Sequence, residues 1–254
     1  MARKLYDNNS AEPFKLSRSK IDLFVKCPRC FYLDRKLGIA RPDMPGWPIN
    51  SAIDELLKRE FDLHRAKGEA HPLMKHYGID AVPFAHEKMD EWRDSLRRGI
   101  QYLHKPTGLI LTGGIDDLWV KSSSELIIVD YKATSTVKEI TLDDEYKGGY
   151  KRQIEIYQWL FRQNGFAVSN QAYFVFCNGK KDGASFDGKL EFDVTLVPYR
   201  GDDSWVLPVV FKIKACLESN QIPLPATDCQ YCQYTNAIIK ATLTPNIPAA
   251  TPTP

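Results

Sequence analysis

The chain has 254 residues, 43% hydrophobic and 11% aromatic, enough to bury a sizeable core in one large α/β domain or two small ones. With 34 basic and 32 acidic side chains, the formal charge of +2 gives no whole-molecule sign of a nucleic-acid partner, so any basic groove must be local. No apolar run is long enough to span a membrane and MARKLYDNNS lacks a signal-peptide core, so a cytoplasmic protein is expected.

Residues 1–16 are polar and are expected to form a flexible N-terminus. The stretch SRSKIDLFVKCPRCFYLDRKLGI begins with a cap signal, Ser19 followed three residues later by Asp22. Ile21, Phe24 and Val25 then make a short helical stripe that Pro28 limits. RPDMPGWP is a loop. INSAIDELLKREFDLHRAKG reads as a helix burying Ile53, Leu56, Leu57 and Phe61, with Ser51 as N-cap and Asp54 as its N3 partner. HPLMKHYGIDAVPF carries no clear period. Met89, Trp92 and Leu96 predict a helix over 86–98. His64, His71, His76 and His86 fit no zinc spacing and read as exposed. Ile100 to Leu103 reads as an edge strand, turning at 104–108 into the next strand.

The centre of the chain is LTGGIDDLWVKSSSELIIVDYK, Leu111 to Lys132, two β-branched runs around a polar turn. With Ser123 at the turn centre, Lys121 faces Glu125, Asp116 faces Asp130 and Gly114 faces Lys132. Side chains alternate along a strand, so Asp116, Asp130 and Lys132 share one side. Directly opposed carboxylates, about 5 Å apart at Cβ, repel unless a positive charge sits between them. A hard divalent cation is the natural candidate, with Lys132 beside it. The other face carries Ile115, Trp119, Ile127, Val129 and Tyr131. A four-residue loop would instead place Asp117 opposite Asp130, and the plainer alternative is that Asp116 and Asp117 only end a strand and Lys132 points to solvent.

ATSTVKEITLDDEYKGG is a polar excursion over this region. GGYKRQIEIYQWLFRQNG is a helix with Tyr150, Ile154, Tyr157 and Phe161 on one face and Gly165 as its stop; Gln153 and Tyr157 are one turn apart. QAYFVFCNG and KLEFDVTLVPY are strands, the second alternating Leu190, Phe192, Val194 and Leu196, with Cys177 in the core of the first. DSWVLPVVFKIKACLESN is mainly helical with Cys216 buried, and 241–254 reads as a disordered tail. Cys27-Pro-Arg-Cys30 and Cys229-Gln-Tyr-Cys232 are two C-x-x-C pairs at opposite ends of the domain. Together they suggest a four-thiolate clamp around zinc or an iron–sulfur cluster, with unligated core thiols as the alternative.

Gly113-x-x-Asp116 followed by Ile128-Val129-Asp130-Tyr131-Lys132 resembles the G-x-x-D … h-h-D-x-K core of the PD-(D/E)XK nuclease superfamily. Gln153-x-x-x-Tyr157 is similar to the Q-x-x-x-Y helix of its RecB/AddB-like branch, to which the CRISPR adaptation nucleases belong, and the match in order runs from Ser17 to Cys232. The resemblance implies a restriction-endonuclease-like mixed central sheet flanked by helices, a nuclease domain over 17–240, and a cysteine clamp joining the chain ends. It also implies Mg²⁺- or Mn²⁺-dependent hydrolysis of DNA phosphodiesters, catalysed by Asp116, Asp130 and Lys132. In this reading Asp54, Asp116, Asp130 and the Tyr131 carbonyl hold the metal, and Gln153 and Tyr157 position the DNA strand. Asp54 stands where relatives carry a histidine or an acid. The family's clamp surrounds a [4Fe-4S] cluster; its last cysteine would fall near Ile238, where this chain has none, so Zn²⁺ is the alternative. DNA, single-stranded or at duplex ends, is the implied partner, with a separate helicase or adaptation-complex subunit; exonuclease and endonuclease action both remain open. The rival reading is a non-catalytic DNA-binding or structural module of a larger complex.

Overall fold

The computed structural model describes residues 4–43, 46, 48–144 and 147–243. Five strands form the main sheet, in the order β2 (Ala81–Pro83), β5 (Asp117–Lys121), β6 (Leu126–Thr134), β7 (Gln171–Gly179) and β8 (Phe192–Arg200). β6 and β7 run parallel and the other neighbours antiparallel, so the sheet is mixed. Parallel neighbours need a crossover, supplied here by helix α6 (Gly148–Gln163). A second sheet has the order β1 (Phe14–Ser17), β4 (Leu109–Gly113), β3 (Ile100–His104). Sheets flanked by helices in this way make the mixed α/β, restriction-endonuclease-like architecture that the sequence implied.

β6 is buried from Leu126 to Tyr131 because both its faces are covered. On one face Leu118, Leu126, Ile128, Phe174 and Phe176 pack with Ile21 and Phe24 of α1 (Arg18–Lys26), with α6, and with Val210 and Ile213 of α7 (Val206–Glu218). On the other, Trp119, Ile127, Val129, Tyr131, Val175 and Cys177 pack with Leu57 and Phe61 of α3 (Pro48–Lys67). Eight consecutive residues of α6, Ile154 to Phe161, are buried, as expected of a helix enclosed on all sides.

The central hairpin keeps the expected register. Asp117 pairs with Val129 and Trp119 with Ile127, so Asp116 falls opposite Asp130 one step beyond the ladder. The alternative of Asp117 opposite Asp130 is therefore excluded. One feature differs: the first strand is two strands. β4 belongs to the second sheet, β5 to the main one, and the chain crosses between them at Gly114–Asp116. A Cβ at Gly114 would collide with the backbone and side chain of Ser95, so the crossing needs glycine. The bend also returns Ile115 to the α6-side core, away from Trp119.

Several expectations are corrected. Of the expected flexible stretch, residues 1–3 lie outside the described residues, while Phe14 and Leu16 are buried in β1, and Tyr6 donates its N–H to the Arg35 carbonyl and packs edge-on to Phe14. The N-cap of α1 is Ser17, not Ser19. α3 starts at Pro48, upstream of Ser51, and its buried stripe omits Leu56, which is exposed. The helix expected over 86–98 is only α5 (Met89–Arg93), leaving Leu96 exposed. The segment without a clear period holds α4 (Pro72–His76) as well as β2. His71 is buried rather than exposed, stacked on Phe61 and hydrogen-bonded to Glu60 at 2.8 Å, and His64 and His86 are half-buried. β8 is an edge strand, so Val194 is exposed while Leu196 is buried. Cys216 is half-buried. Ala241 to Leu243 end helix α8 (Gln230–Leu243); residues 244–254 of the expected tail lie outside the described residues.

Candidate active site and cysteine centre

The crossing between the sheets builds the first half of the site. A Cβ at Gly113 would stand 2.5 Å from Tyr157 Cε1, so glycine there lets the buried Tyr157 ring lie beneath the turn. Asp116 is then fixed at both ends: its carbonyl accepts from Arg93 Nε at 3.0 Å, and its Oδ2 accepts from the Tyr131 N–H at 2.8 Å. Its neighbour Asp117 points to the opposite face, fully buried, where Arg65 and Arg93 pair with it and the Tyr131 hydroxyl donates to it at 2.8 Å. Asp117 is thus tied into the fold, whereas Asp116 lines the cleft.

β6 supplies the other half. Asp130 is fully buried; its Oδ1 accepts from Gln153 Nε2 at 2.7 Å, and the same nitrogen reaches the Tyr157 hydroxyl at 3.2 Å. Oδ2 is ion-paired with Lys132 but accepts no well-directed hydrogen bond. The Lys132 amine also lies over the Tyr150 ring, 4.6 Å from its centroid. Asp54 approaches from α3. Its Oδ2 is 2.7 Å from Lys58 Nζ, which stands 3.7 Å from Asp116 Oδ1. Because α3 begins at Pro48, Asp54 sits in the second turn and the capping role expected for it is overturned.

Arg18, Asp54, Asp116, Tyr131, Lys132 and Gln153 line one cleft of about 440 Å³, and Asp130 lies buried behind its wall. Gln153 faces the cleft; Tyr157 lies under its floor. Three carboxylates here meet two lysines, and the balance shows in their protonation. Burial, reinforced by the Asp116 charge and opposed by Lys132, pushes the Asp130 carboxyl up to about 7. Burial and the charge of Asp116 also raise Asp54. Burial alone would lower the Lys132 amine, but Asp130 and Asp116 outweigh it and hold it above its usual range. Burial and the Asp116 charge raise this carboxyl even though Lys132 is paired with it, so further positive charge beside it would favour its ionised form. That fits a divalent cation held by Asp116, Asp130 and Asp54. The three carboxylates are not drawn into a tight cage: among the described residues, the cysteines alone bring three or more such ligand atoms within 4.8 Å.

Sequence reading missed Arg18, Lys58 and Arg93. Lys58 was findable, one turn from Asp54 on the same helix face. Arg18 and Arg93 were not, since only the folded chain brings them to Asp130 and Asp116. Among the described residues no carboxylate lies within ion-pair distance of Arg18; Tyr157 and the charge of Asp130 raise its pKa against burial.

The second centre lies where α1 meets α2 (Pro28–Arg35) and α8. Cys27, Cys30, Cys229 and Cys232 are all buried, and their sulfur atoms all lie within 4.8 Å of one another. Burial would raise the Cys27 thiol, yet the backbone N–H groups of Ala226 and Cys30 bring it down to about 7. Arg41 donates to Cys229 Sγ at 3.4 Å and stacks on Tyr231. Four convergent thiols, backbone donors and a guanidinium form a donor set suited to a metal.

A family model described as the PD-(D/E)XK nuclease superfamily matches residues 15–237. Comparison with curated proteins gave no significant match. Among solved structures, one titled "Crystal structure of SSO0001" is similar at 14% identity and a TM-score of 0.40, over 93% of this chain and 90% of that one. Among the described residues no helix is long and apolar enough to cross a membrane.

Proposed function

The chain belongs to the PD-(D/E)XK nuclease superfamily, and on that premise we propose that it is a metal-dependent deoxyribonuclease of the RecB/AddB-like branch. The observation that carries the reading is that Asp116 and Lys132 line one cleft with the buried Asp130 directly behind it, ion-paired to Lys132. Asp116 and Asp130 would hold Mg²⁺ or Mn²⁺, with Asp54 and the Tyr131 carbonyl completing the oxygen set. When bound, such an ion lowers the pKa of a water and offsets charge on the phosphate. Lys132 orients the attacking water and stabilises the charge of the pentavalent phosphorus. Gln153 fixes the Asp130 carboxylate and faces the strand, with Tyr157 holding Gln153 from below. Arg18, which has no carboxylate partner among the described residues, offers its planar fork to the phosphodiester. The branch assignment rests on the Gln153–Tyr157 pair beside Asp130 and on the cysteine centre. DNA strands or duplex ends are the proposed substrate, delivered by a separate helicase or adaptation subunit in the cytoplasm.

Purified protein incubated with supercoiled plasmid should nick it in Mg²⁺ or Mn²⁺ and not in chelator, and Asp130→Ala should be inactive. Equal nicking by wild type and Asp130→Ala would reject the assignment, and no cleavage of plasmid, linear duplex or single strands would favour the non-catalytic reading.

A further inference from the structure

The family resemblance implies a four-iron cluster at the cysteine centre, but the sulfur spacing does not suit one. In a cubic cluster each thiolate ligates a different iron, which spreads the four sulfurs to roughly 6 Å apart. Four sulfurs around a single tetrahedral ion at about 2.3 Å stand about 3.8 Å apart, the edge of that tetrahedron. Here Cys27 to Cys232 is 3.8 Å, Cys30 to Cys229 is 3.6 Å and Cys30 to Cys232 is 3.6 Å, and the other three separations are all within 4.8 Å. We infer that these four cysteines hold one zinc ion in place of an iron–sulfur cluster.

The two C-x-x-C segments are built alike, which is what a single tetrahedral ion asks for. In each, the carbonyl of the first cysteine accepts the first intrahelical hydrogen bond, from Phe31 N to Cys27 O at 3.1 Å and from Gln233 N to Cys229 O at 3.0 Å. The second cysteine of each pair then falls in the first turn, of α2 and of α8. Four thiolates on Zn²⁺ leave a net charge of −2, and Arg41 against Cys229 places a cation beside it. With all four positions filled by protein, the ion has no open coordination site, so its role is to tie the N-terminal helices to α8 rather than to transfer electrons or bind substrate.

This inference is independent of the acid centre, and its test does not require cleavage. The full chain, expressed with both iron and zinc supplied and purified anaerobically with any affinity tag removed, is assayed for zinc, iron and acid-labile sulfide. One zinc per chain, no sulfide and a colourless solution are expected. Exchange with Co²⁺ should give the visible bands of tetrahedral cobalt thiolate, and these should be lost in Cys30→Ser. A brown protein with about four irons and four sulfides per chain, or a chain with no thiol-bound metal, would overturn the inference.

Discussion

Nothing in the sequence marks Arg18, a lone arginine between two serines, yet it faces the cleft with no carboxylate partner among the described residues. If it holds the phosphate, Arg18→Ala should lower kcat/KM by about 10- to 100-fold, the value of a charge-assisted hydrogen bond. A substrate carrying one neutral methylphosphonate at the contacted position should be cut more slowly by wild type but no more slowly by Arg18→Ala. Equal penalties in both proteins would remove Arg18 from the site. Asp54 makes a different prediction. Its visible partner Lys58 is a one-turn pair at a part-exposed position, worth about 0.3–0.5 kcal/mol. Asp54→Asn should therefore leave the melting temperature nearly unchanged while weakening Mn²⁺ binding and abolishing cleavage. Full activity would show that Lys58 is its whole purpose. Asp116, Asp130 and Lys132 were legible because alternation along a strand is rigid. Arg18 and Arg93 were not, because long side chains reach the site from elements whose place is set by tertiary packing.

The hairpin shows how far local pattern goes. Its register followed from the turn: Lys121 N donates to Glu125 O at 3.0 Å, and Ser124 adopts φ +68°. A non-glycine residue there costs about 1 kcal/mol, so Ser124→Gly should raise stability by up to that amount, about 2–4 °C in Tm for a chain of this size. No gain would mean that the serine is unstrained. The split of the first strand into β4 and β5 was invisible, since it depends on Ser95 packing against Gly114 from a segment far upstream. α1 and α6 are joined by Asp22, which pairs with Lys26 at 2.8 Å and Arg152 at 2.6 Å. Burial opposes its ionisation, but those hydrogen bonds prevail and hold its carboxyl below the usual range. A depressed folded-state pKa gives stability that is present above the unfolded value near 4 and lost as pH falls through the folded one. Urea unfolding between pH 6 and pH 3 should show this loss, and Asp22→Asn should flatten the acid limb while lowering stability at pH 6. An unchanged acid limb would assign the titration elsewhere.

Across the whole molecule, the two centres serve separate ends. The acid cleft sits where the two sheets meet, and the cysteine centre joins segments about two hundred residues apart in the chain. Closing so long a loop restricts the unfolded state strongly, so Cys27→Ser or Cys232→Ser should lower the stability of the whole domain by several kcal/mol. Unchanged melting and metal content in both variants would make these thiols ordinary core residues. The cysteine cluster was legible because paired C-x-x-C spacing survives any intervening fold; the sulfur separations on which the proposed zinc rests are set only by the folded chain. The central claim is that Asp116 and Asp130 form a divalent-metal centre. Electron paramagnetic resonance titration of Mn²⁺ into wild type, Asp116→Asn and Lys132→Met measures it most directly, with the cysteine-bound metal assayed in parallel as the control for folding. The account predicts saturable Mn²⁺ binding in wild type and Lys132→Met, and its loss in Asp116→Asn with the cysteine metal retained; equal Mn²⁺ binding in all three proteins, or none in folded wild type, would contradict it.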